Sequence, residues 1–317
     1  MSIKKPECLK KGDKIGLVSV SSPVKREIVN KSVKYLEKLG FSVELSKHIF
    51  DDIGYMAGTA EDRAKDLNEM FENNNIKAIF VAYGGTSANQ MLPYIDYDLI
   101  NEKPKIFVGL SDSSILNLAI YSKSKIVTFH GPTGYNFGES GMTKYTEKYF
   151  LRVLFDPSPL SEIDEKSKWI TIKEGYAEGE IVGANLTLLQ SLIGTPYEPN
   201  WNDKILFWED LFVEYHTIDL ILTHLRLAGV FDNIKGMIIG KLVECEEKEY
   251  PMKETFEEMI LRLTRGYNFP ILSNVDLGHT DDKITIPIGI KIKLDVTEDI
   301  KKIIFTESAT TPKKGEC

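Results

Sequence analysis

The sequence predicts an α/β protein with two domains, and three observations support this prediction. The 317 residues exceed one average domain, while 42% hydrophobic and 27% charged residues are usual globular proportions. In the first half, short apolar runs alternate with helix-period patterns, which is typical of a parallel sheet covered on both faces. A largely polar segment at 136–173, expected to cross between domains, precedes a second set of strands and helices. We therefore expect an N-terminal domain at 1–165 and a C-terminal domain at 175–317.

Four short runs in the first half are expected to form strands; the run 14–20 has the composition of a buried strand, and the run 76–82 is apolar on both faces. Helical patterns lie between them: apolar residues recur from 27 to 39 until Gly40, and Thr59 with Asp62 resembles a capping box before a second helix. Another helix is expected at about 113–121. The predicted strands are 14–20 (KIGLVSV), 41–45 (FSVEL), 76–82 (IKAIFVA) and 105–110 (KIFVGL).

The second half continues the alternation after Gly179. Between 284 and 294, an isoleucine or leucine recurs at every second residue, which is the period of a β-strand. We expect one strand here, bent around Pro287 and Gly289. The other elements expected in this half are helices at 185–193 and 219–227 and strands at 204–208 (KILFW) and 236–240.

Charge and cysteine content narrow the class of protein. Lysine and arginine total 39 against 47 aspartate and glutamate, so the net charge is -8 and a nucleic-acid groove is disfavoured. Cys8, Cys245 and Cys317 do not make a disulfide framework, which indicates a reducing compartment. The start has no apolar leader, and runs such as 76–83 are too short to span a membrane. We expect a cytoplasmic protein.

A serine follows the run 105–110 where the next helix is expected to begin. In GLSDS, at 109–113, this placement fits a nucleophile elbow, which holds a serine side chain between a strand end and a helix N-terminus. The match is imperfect, because Ser113 stands where G-x-S-x-G has its second glycine. The alternative is that Ser111 and its neighbours only cap the helix.

Gly84 and Gly85 follow the predicted strand 76–82. Such a pair either makes a tight turn or offers a backbone N–H to an anion or a developing oxyanion. Neither G-x-G-x-x-G nor a Walker lysine loop is present in the sequence, so a phosphate-containing cofactor is disfavoured.

A serine nucleophile needs a base and a group that orients the base. His279 lies in a predicted loop, where bases are commonly held, and Glu209 directly follows the strand KILFW. Ser111, Glu209 and His279 can therefore form a triad, although these observations alone do not select it. The other histidines are His48, His130, His216 and His224.

Metal-dependent hydrolysis is the competing chemistry. The sequence has no H-E-x-x-H motif, and zinc would need more histidine or cysteine at workable spacing. The acidic run 244–247 (ECEE) is more typical of a solvated surface. We therefore expect no metal at the active site.

Ordered segments along nearly the whole chain match one known family. They include GDKIGLVSVSSP, GYMAGTAEDRAKDLNEMF, KAIFVAYGG, KIFVGLSD, VTFHGP, GANLTLLQSLIGTPY, KILFWED, IDLILTHLRLAGVFD and DLGHTDDKITIPIG. Together they resemble the LD-carboxypeptidases and the related microcin C self-immunity carboxypeptidases, which form one family of serine peptidases. The resemblance implies a flavodoxin-like, parallel-sheet N-terminal domain, a smaller β-rich swivelling C-terminal domain and a homodimer, and it implies no cofactor.

The resemblance also implies a role for each candidate residue. Ser111 corresponds to the serine of the family's G-x-S-D motif, Glu209 to its carboxylate after ILF-x-E, and His279 to its histidine after glycine. The backbone amides of Gly85 and Asp112 are the implied oxyanion donors. The first domain would supply the serine, and the second the glutamate and histidine.

Two substrates are consistent with the resemblance. One is a murein tetrapeptide that loses its terminal D-alanine, and the other is a peptidyl- or aminoacyl-nucleotide of the microcin C type. The second needs a base-stacking aromatic residue, for which Trp201 is a candidate; the alternative is an ordinary loop tryptophan. A non-catalytic protein that binds a small ligand is a rival of another class, and the joint presence of the three triad residues disfavours it.

Overall fold

The computed structural model describes residues 3–248, 250–251, 253–297 and 299–313. Within these ranges the chain forms two β-sheets and nine α-helices. The strands are β1 (Lys14–Val18), β2 (Ser42–Leu45), β3 (Ile76–Val81), β4 (Ile106–Gly109), β5 (Thr128–His130), β6 (Ser161–Glu162), β7 (Ile170–Lys173), β8 (Gly175–Asn185), β9 (Lys204–Leu211), β10 (Gly236–Val243), β11 (Ile271–Ser273), β12 (Ile286–Ile288), β13 (Lys291–Val296) and β14 (Lys301–Phe305). The helices are α1 (Arg26–Lys38), α2 (Ala60–Glu72), α3 (Tyr97–Glu102), α4 (Ser114–Ser124), α5 (Lys144–Phe155), α6 (Leu186–Leu189), α7 (Tyr215–Leu227), α8 (Val230–Asn233) and α9 (Phe256–Leu263).

The first sheet has six strands in the order β12-β5-β4-β3-β1-β2. All pairs from β2 to β5 are parallel, as the sequence predicted. Strand β3 is buried except at Lys77, and its sequence is apolar on both faces because both are covered. Strand β12 runs antiparallel at the edge, where Pro287 is tolerated because an edge strand can lack one N–H donor.

The isoleucine-rich segment 284–294 forms two strands in different sheets, so the prediction of one bent strand was wrong. Strand β12 pairs with β5 in the first sheet, whereas β13 pairs with β8 in the second. Gly289 makes the break. Its φ is +93°, which other residues rarely adopt, and a Cβ there would lie 2.6 Å from the Tyr121 ring.

The second sheet has eight strands in the order β6-β14-β13-β8-β9-β10-β11-β7. Its centre, from β8 to β11, is parallel, and antiparallel strands flank this centre on both sides. The register of β8 with β9 sets Asn185 opposite Glu209. The carboxyl end of β8 therefore lies beside the predicted triad carboxylate.

The polar segment 136–173 contains more structure than a crossing segment needs. Helix α5 and strands β6 and β7 all lie within it. An apolar face of α5 is buried, and its spacing was visible in the sequence although the surrounding polar residues obscured it. The buried apolar residues of this face are Tyr149, Phe150, Val153 and Leu154.

The two sheets meet where α4 packs against β8. The backbone N–H of Asn185 donates a hydrogen bond to Ser114 Oγ at 3.3 Å across this contact. Strand β12 lies in the second predicted domain range but joins the first sheet, and the limits 1–165 and 175–317 stay predictions. Among the helices that the structure describes, none has both the length and the apolar character needed to cross a membrane.

Candidate active site

Ser111 lies on a sharp turn between β4 and α4. Strand β4 ends at Gly109, and a 3₁₀ turn covers Ser111–Ser113 before α4 begins. The φ of Ser111 is +62°, a left-handed conformation that costs a non-glycine residue about 1–2 kcal/mol. Neither the 3₁₀ turn nor α4 has a side-chain cap hydrogen bond, so capping does not explain the serines. The backbone has the strained geometry of a nucleophile elbow.

Glu209 and His279 form a buried hydrogen-bonded pair. Glu209 lies on β9 and is fully buried, and His279 lies in the loop between β11 and β12. The His279 Nδ1 to Glu209 Oε2 distance is 2.7 Å. Gly278 permits this approach, because a Cβ at this position would lie 2.5 Å from Glu209 Oε2. The structure thus brings two of the three predicted triad residues into direct contact.

Each member of the pair stabilises the charged form of the other. Burial acts to raise the pKa of Glu209, but the charge and hydrogen bond of His279 outweigh it and hold that pKa below its ordinary value. Burial acts to lower the pKa of His279, and Glu209 more than offsets it, so the His279 pKa is raised. An ionised carboxylate on Nδ1 fixes the ring proton there, which leaves Nε2 as the basic nitrogen.

The basic nitrogen of His279 is free to accept a proton. His279 Nε2 is buried without a hydrogen-bond partner, and the Ser111 hydroxyl makes no hydrogen bond to any residue that the structure describes. Asn185 connects the serine turn to the strand of Glu209. It lies opposite Glu209 in the pairing of β8 with β9, and its backbone N–H donates to Ser114 Oγ at the end of the serine turn. Hydrogen bonds between nucleophile and base are often long without substrate and tighten in the complex.

The glycine pair lies directly against the serine turn. A Cβ on Gly84 would lie 2.9 Å from both Cβ and Oγ of Ser111. Gly85 has a φ of +145°, and its N–H forms no hydrogen bond within the described ranges. The unpaired N–H of Gly85 follows directly after the glycine that contacts Ser111, which is compatible with oxyanion binding as well as with a tight turn.

The Asp112 side chain ties the serine turn to the glycine loop, a role that sequence reasoning missed. Its carboxylate accepts the backbone N–H groups of Ser87 and Ala88, both at 2.7 Å, and also the Ser21 hydroxyl. The buried Arg63 guanidinium extends this network by donating to the Ser87 carbonyl at 3.1 Å. The sequence carried a signal for this role, because Asp112 directly follows the predicted nucleophile. The family resemblance implied a role for its backbone N–H and none for its carboxylate.

Two other residues of interest have clear positions. Trp201 is buried and its Nε1 donates to Glu198 at 2.9 Å, so it is an ordinary packed tryptophan and presents no stacking surface. His130 is fully buried near the pair, with its Nε2 3.9 Å from Glu209 Oε1. The remaining histidines, after β2 and along α7, are His48, His216 and His224.

One group within the described ranges has metal-ligand spacing, and it lies at the start of α7. The ligand atoms of Glu214, His216 and Glu247 are within 4.8 Å of one another. The Glu247 carboxylate already accepts the backbone N–H groups of His216 at 3.1 Å and Tyr250 at 2.9 Å. These bonds account for the cluster as a link between the start of α7 and the loop after β10. A metal-independent active site stays a prediction.

Comparison with known proteins identifies the family. Residues 15–131 match the LD-carboxypeptidase N-terminal domain, and residues 178–294 match the LD-carboxypeptidase C-terminal domain. The chain is 34% identical to the probable murein peptide carboxypeptidase of Bacillus subtilis (strain 168), covering 93% of this chain and 92% of that protein. It is 31% identical to the microcin C7 self-immunity protein MccF of Escherichia coli, covering 96% of each.

Solved structures agree with this family. The structure of MccF in the wild-type apo state matches with a TM-score of 0.89 at 29% identity, covering 97% of this chain and 100% of that chain. The predicted two-domain α/β fold is confirmed by this match and by the two domain matches. The chain therefore belongs to the LD-carboxypeptidase family of peptidases, enzymes that hydrolyse peptide bonds.

Proposed function

We propose that this chain is a serine carboxypeptidase that works without a metal, with Ser111 as nucleophile, His279 as base and Glu209 as the group that orients the base. The main support is the buried 2.7 Å contact between Glu209 and His279, which leaves Nε2 of the ring unpaired. A protein that only binds a ligand needs neither a buried charged pair nor a left-handed serine, and both cost stability.

The proposed reaction has two halves that share one proton path. His279 Nε2 takes the Ser111 proton while Oγ bonds to the scissile carbonyl carbon, and the N–H groups of Gly85 and Asp112 bind the oxyanion. His279 then gives the proton to the departing amine as the C–N bond breaks, which leaves an acyl-enzyme. Water repeats these steps on the acyl-enzyme, so the shortened peptide leaves with a new carboxyl group and Ser111 is restored.

The substrate that we propose is a murein tetrapeptide that loses its terminal D-alanine. Relatives carry the names probable murein peptide carboxypeptidase and murein tetrapeptide carboxypeptidase. An aminoacyl- or peptidyl-nucleotide is the second candidate, because MccF has been solved in complex with aspartyl sulfamoyl adenosine. The buried Trp201 offers no stacking surface for a base, which favours the peptide.

Mass spectrometry of the products distinguishes the two substrates. On incubation with the murein tetrapeptide, we expect release of one D-alanine per molecule, at a higher kcat/KM than for hydrolysis of a peptidyl-nucleotide. EDTA is expected to leave this rate unchanged, because the proposed groups are side chains and backbone amides. Faster hydrolysis of the nucleotide would reverse the substrate order. Inactivation by EDTA that added zinc reverses would contradict the metal-independent mechanism.

Gly85→Ala keeps the backbone N–H but must displace it from the oxyanion position. We expect kcat/KM to fall about 100- to 1,000-fold, the usual effect of losing one oxyanion donor. A Cβ at this position would lie 2.3 Å from the Ser21 and Ser22 hydroxyls and 2.7 Å from the Ser22 nitrogen, so the loop must shift. Gly12→Ala is the matched control, since Gly12 also has a positive φ but an added Cβ meets nothing within 4 Å. Equal losses of activity in the two variants would contradict the assignment of Gly85.

The cellular setting stays a prediction. We expect a cytoplasmic homodimer that binds its small substrate and neither nucleic acid nor membrane. Cys8 and Cys245 are buried free thiols, in keeping with a reducing compartment. The net charge of -8 disfavours attraction to nucleic acid or to anionic lipid surfaces.

A further inference from the structure

His130 lies at the junction between the two sheets. It ends β5 and pairs with Gly109 of β4, two residues before Ser111. Its ring makes a T-shaped contact with the Phe207 ring from β9, with the centroids 5.3 Å apart. The side chain is buried, so it fills the space between the strand that leads to the nucleophile and the strand that carries Glu209.

Besides His279 Nε2, three buried polar atoms at this junction lack hydrogen-bond partners. They are both ring nitrogens of His130 and the Oε1 oxygen of Glu209. His130 Nε2 and Glu209 Oε1 are 3.9 Å apart, which is longer than a hydrogen bond. A water at about 2.8 Å from both would make its two bonds at nearly a right angle, so a direct bond is the simpler pairing. Buried polar groups are rarely left unpaired, and a state in which these two atoms meet is therefore expected.

The His130 ring is neutral at physiological pH. Burial lowers its pKa to about 4; Glu209 opposes this shift, and His279 and Lys283 add to it. Among the described residues, these three supply the charges that act on His130, from β9 and from the loop between β11 and β12. A neutral ring carries a single N–H, and the tautomer protonated on Nε2 can donate it to the carboxylate.

We propose that His130 is a positioning residue whose Nε2–H donates to Glu209 Oε1 in the reacting state and so holds Oε2 against His279 Nδ1. An approach of about 1 Å between β5 and β9 brings the two atoms into hydrogen-bond range. Because β5 is paired with β4, the same approach carries the Ser111 turn toward the second sheet. The inference rests on the proposed function, since it concerns the same triad.

Loss of this donor has a defined effect on pH dependence. A hydrogen bond to an ionised carboxylate stabilises the ionised form, so a neutral His130 ring that donates to Oε1 lowers the pKa of Glu209. Its removal therefore raises the proton affinity of the Glu209–His279 pair as a unit. Because the base must be unprotonated to act, the acid limb of the pH–rate profile moves to higher pH.

Two substitutions test the donor. His130→Phe keeps a ring of similar size without nitrogen atoms, whereas His130→Gln puts an amide N–H near the position of Nε2. For His130→Phe we expect kcat for D-alanine release to fall about 10- to 100-fold with KM unchanged, as for lost hydrogen-bond partners of metal-bound histidines. The pH profile of Ser111 labelling by a fluorophosphonate should show the same upward shift. We expect His130→Gln to restore most of the rate and the wild-type profile.

His48→Phe is the matched control, because His48 Nδ1 also contacts a carboxylate, Asp66 Oδ1 at 2.8 Å, but outside the candidate site. It should leave the rate and the pH profile unchanged. If the wild-type enzyme is active, either of two results would overturn the positioning role. One is an unchanged pH profile in His130→Phe, and the other is a loss of kcat in His130→Gln as large as in His130→Phe. Wild-type enzyme that neither labels nor hydrolyses would instead overturn the proposed function.

A measurement on the wild-type enzyme tests the same bond if His130→Phe does not fold. In the fluorophosphonate adduct, ¹⁵N chemical shifts are expected to show His130 protonated on Nε2 and hydrogen-bonded. A ring protonated on Nδ1 in that adduct would overturn the proposal even though Ser111 had reacted.

Discussion

Ser111→Ala is expected to abolish hydrolysis while the protein keeps its fold. Loss of the nucleophile costs roughly 10⁶-fold in kcat in a well-studied serine protease, and the proposed mechanism has no second group that could replace it. The hydroxyl makes no hydrogen bond within the described part of the chain, so its removal breaks no hydrogen bond that stabilises the fold. We expect the free energy of unfolding to change by no more than about 0.5 kcal/mol.

Two further substitutions separate the chemistry from the backbone strain. Ser111→Gly also removes the nucleophile but relieves the strain of a φ of +62°, so this variant should be inactive and about 1 kcal/mol more stable. Ser122→Ala removes a hydroxyl from α4, where it donates to the Glu198 carbonyl at 3.0 Å, and should leave kcat/KM unchanged. D-alanine release and denaturant unfolding measure both properties. Turnover by Ser111→Ala at the wild-type rate would end the serine mechanism.

The serine turn was predictable because its causes are local. An apolar run ending at Gly109, followed by Ser111 and a helical pattern, indicates a strand-to-helix turn from adjacent residues alone. Gly85 follows the neighbouring strand, and carboxyl ends of parallel strands meet at one edge of a sheet, so its proximity also follows. The φ of Ser111 was not predictable, because it depends on how the turn packs against Gly84.

Contacts between the two sheets were not predictable from local patterns. The approach of His279 to Glu209 depends on a missing side chain at Gly278 and on the order of strands in the second sheet. Only the family resemblance linked these residues in the sequence. The break at Gly289 was not predictable for a related reason. A period-two pattern shows that alternate residues are buried, but it does not show which sheet each part of the segment joins. The Asp112 network was hidden because its partners come from separate loops.

Glu209→Gln is expected to lower kcat about 10⁴-fold, as the corresponding change does in a known serine protease triad. Glu209 Oε2 accepts the Nδ1 proton of His279 at 2.7 Å. A glutamine that turns its amide nitrogen to Nδ1 donates instead, so the ring proton moves to Nε2, the nitrogen that must accept the Ser111 proton. The fold should persist, because the amide has the same shape and a neutral group is easier to bury than a charge. Glu180→Gln is the control, since this carboxylate accepts the Tyr121 hydroxyl at 3.0 Å outside the proposed triad.

The pH profile of the residual activity tests the electrostatic part of the same prediction. Glu209 raises the pKa of His279, so neutralising the carboxylate lowers that pKa and extends the acid limb to lower pH. This is opposite to the direction expected for His130→Phe, in which the carboxylate keeps its charge and loses a donor. The pH–rate profiles of the two variants therefore distinguish the effect of the Glu209 charge from the effect of the hydrogen bond that His130 donates to Glu209. An acid limb at higher pH in Glu209→Gln would mean that the carboxylate does not raise the pKa of His279. A wild-type kcat would mean that it does not orient the His279 ring.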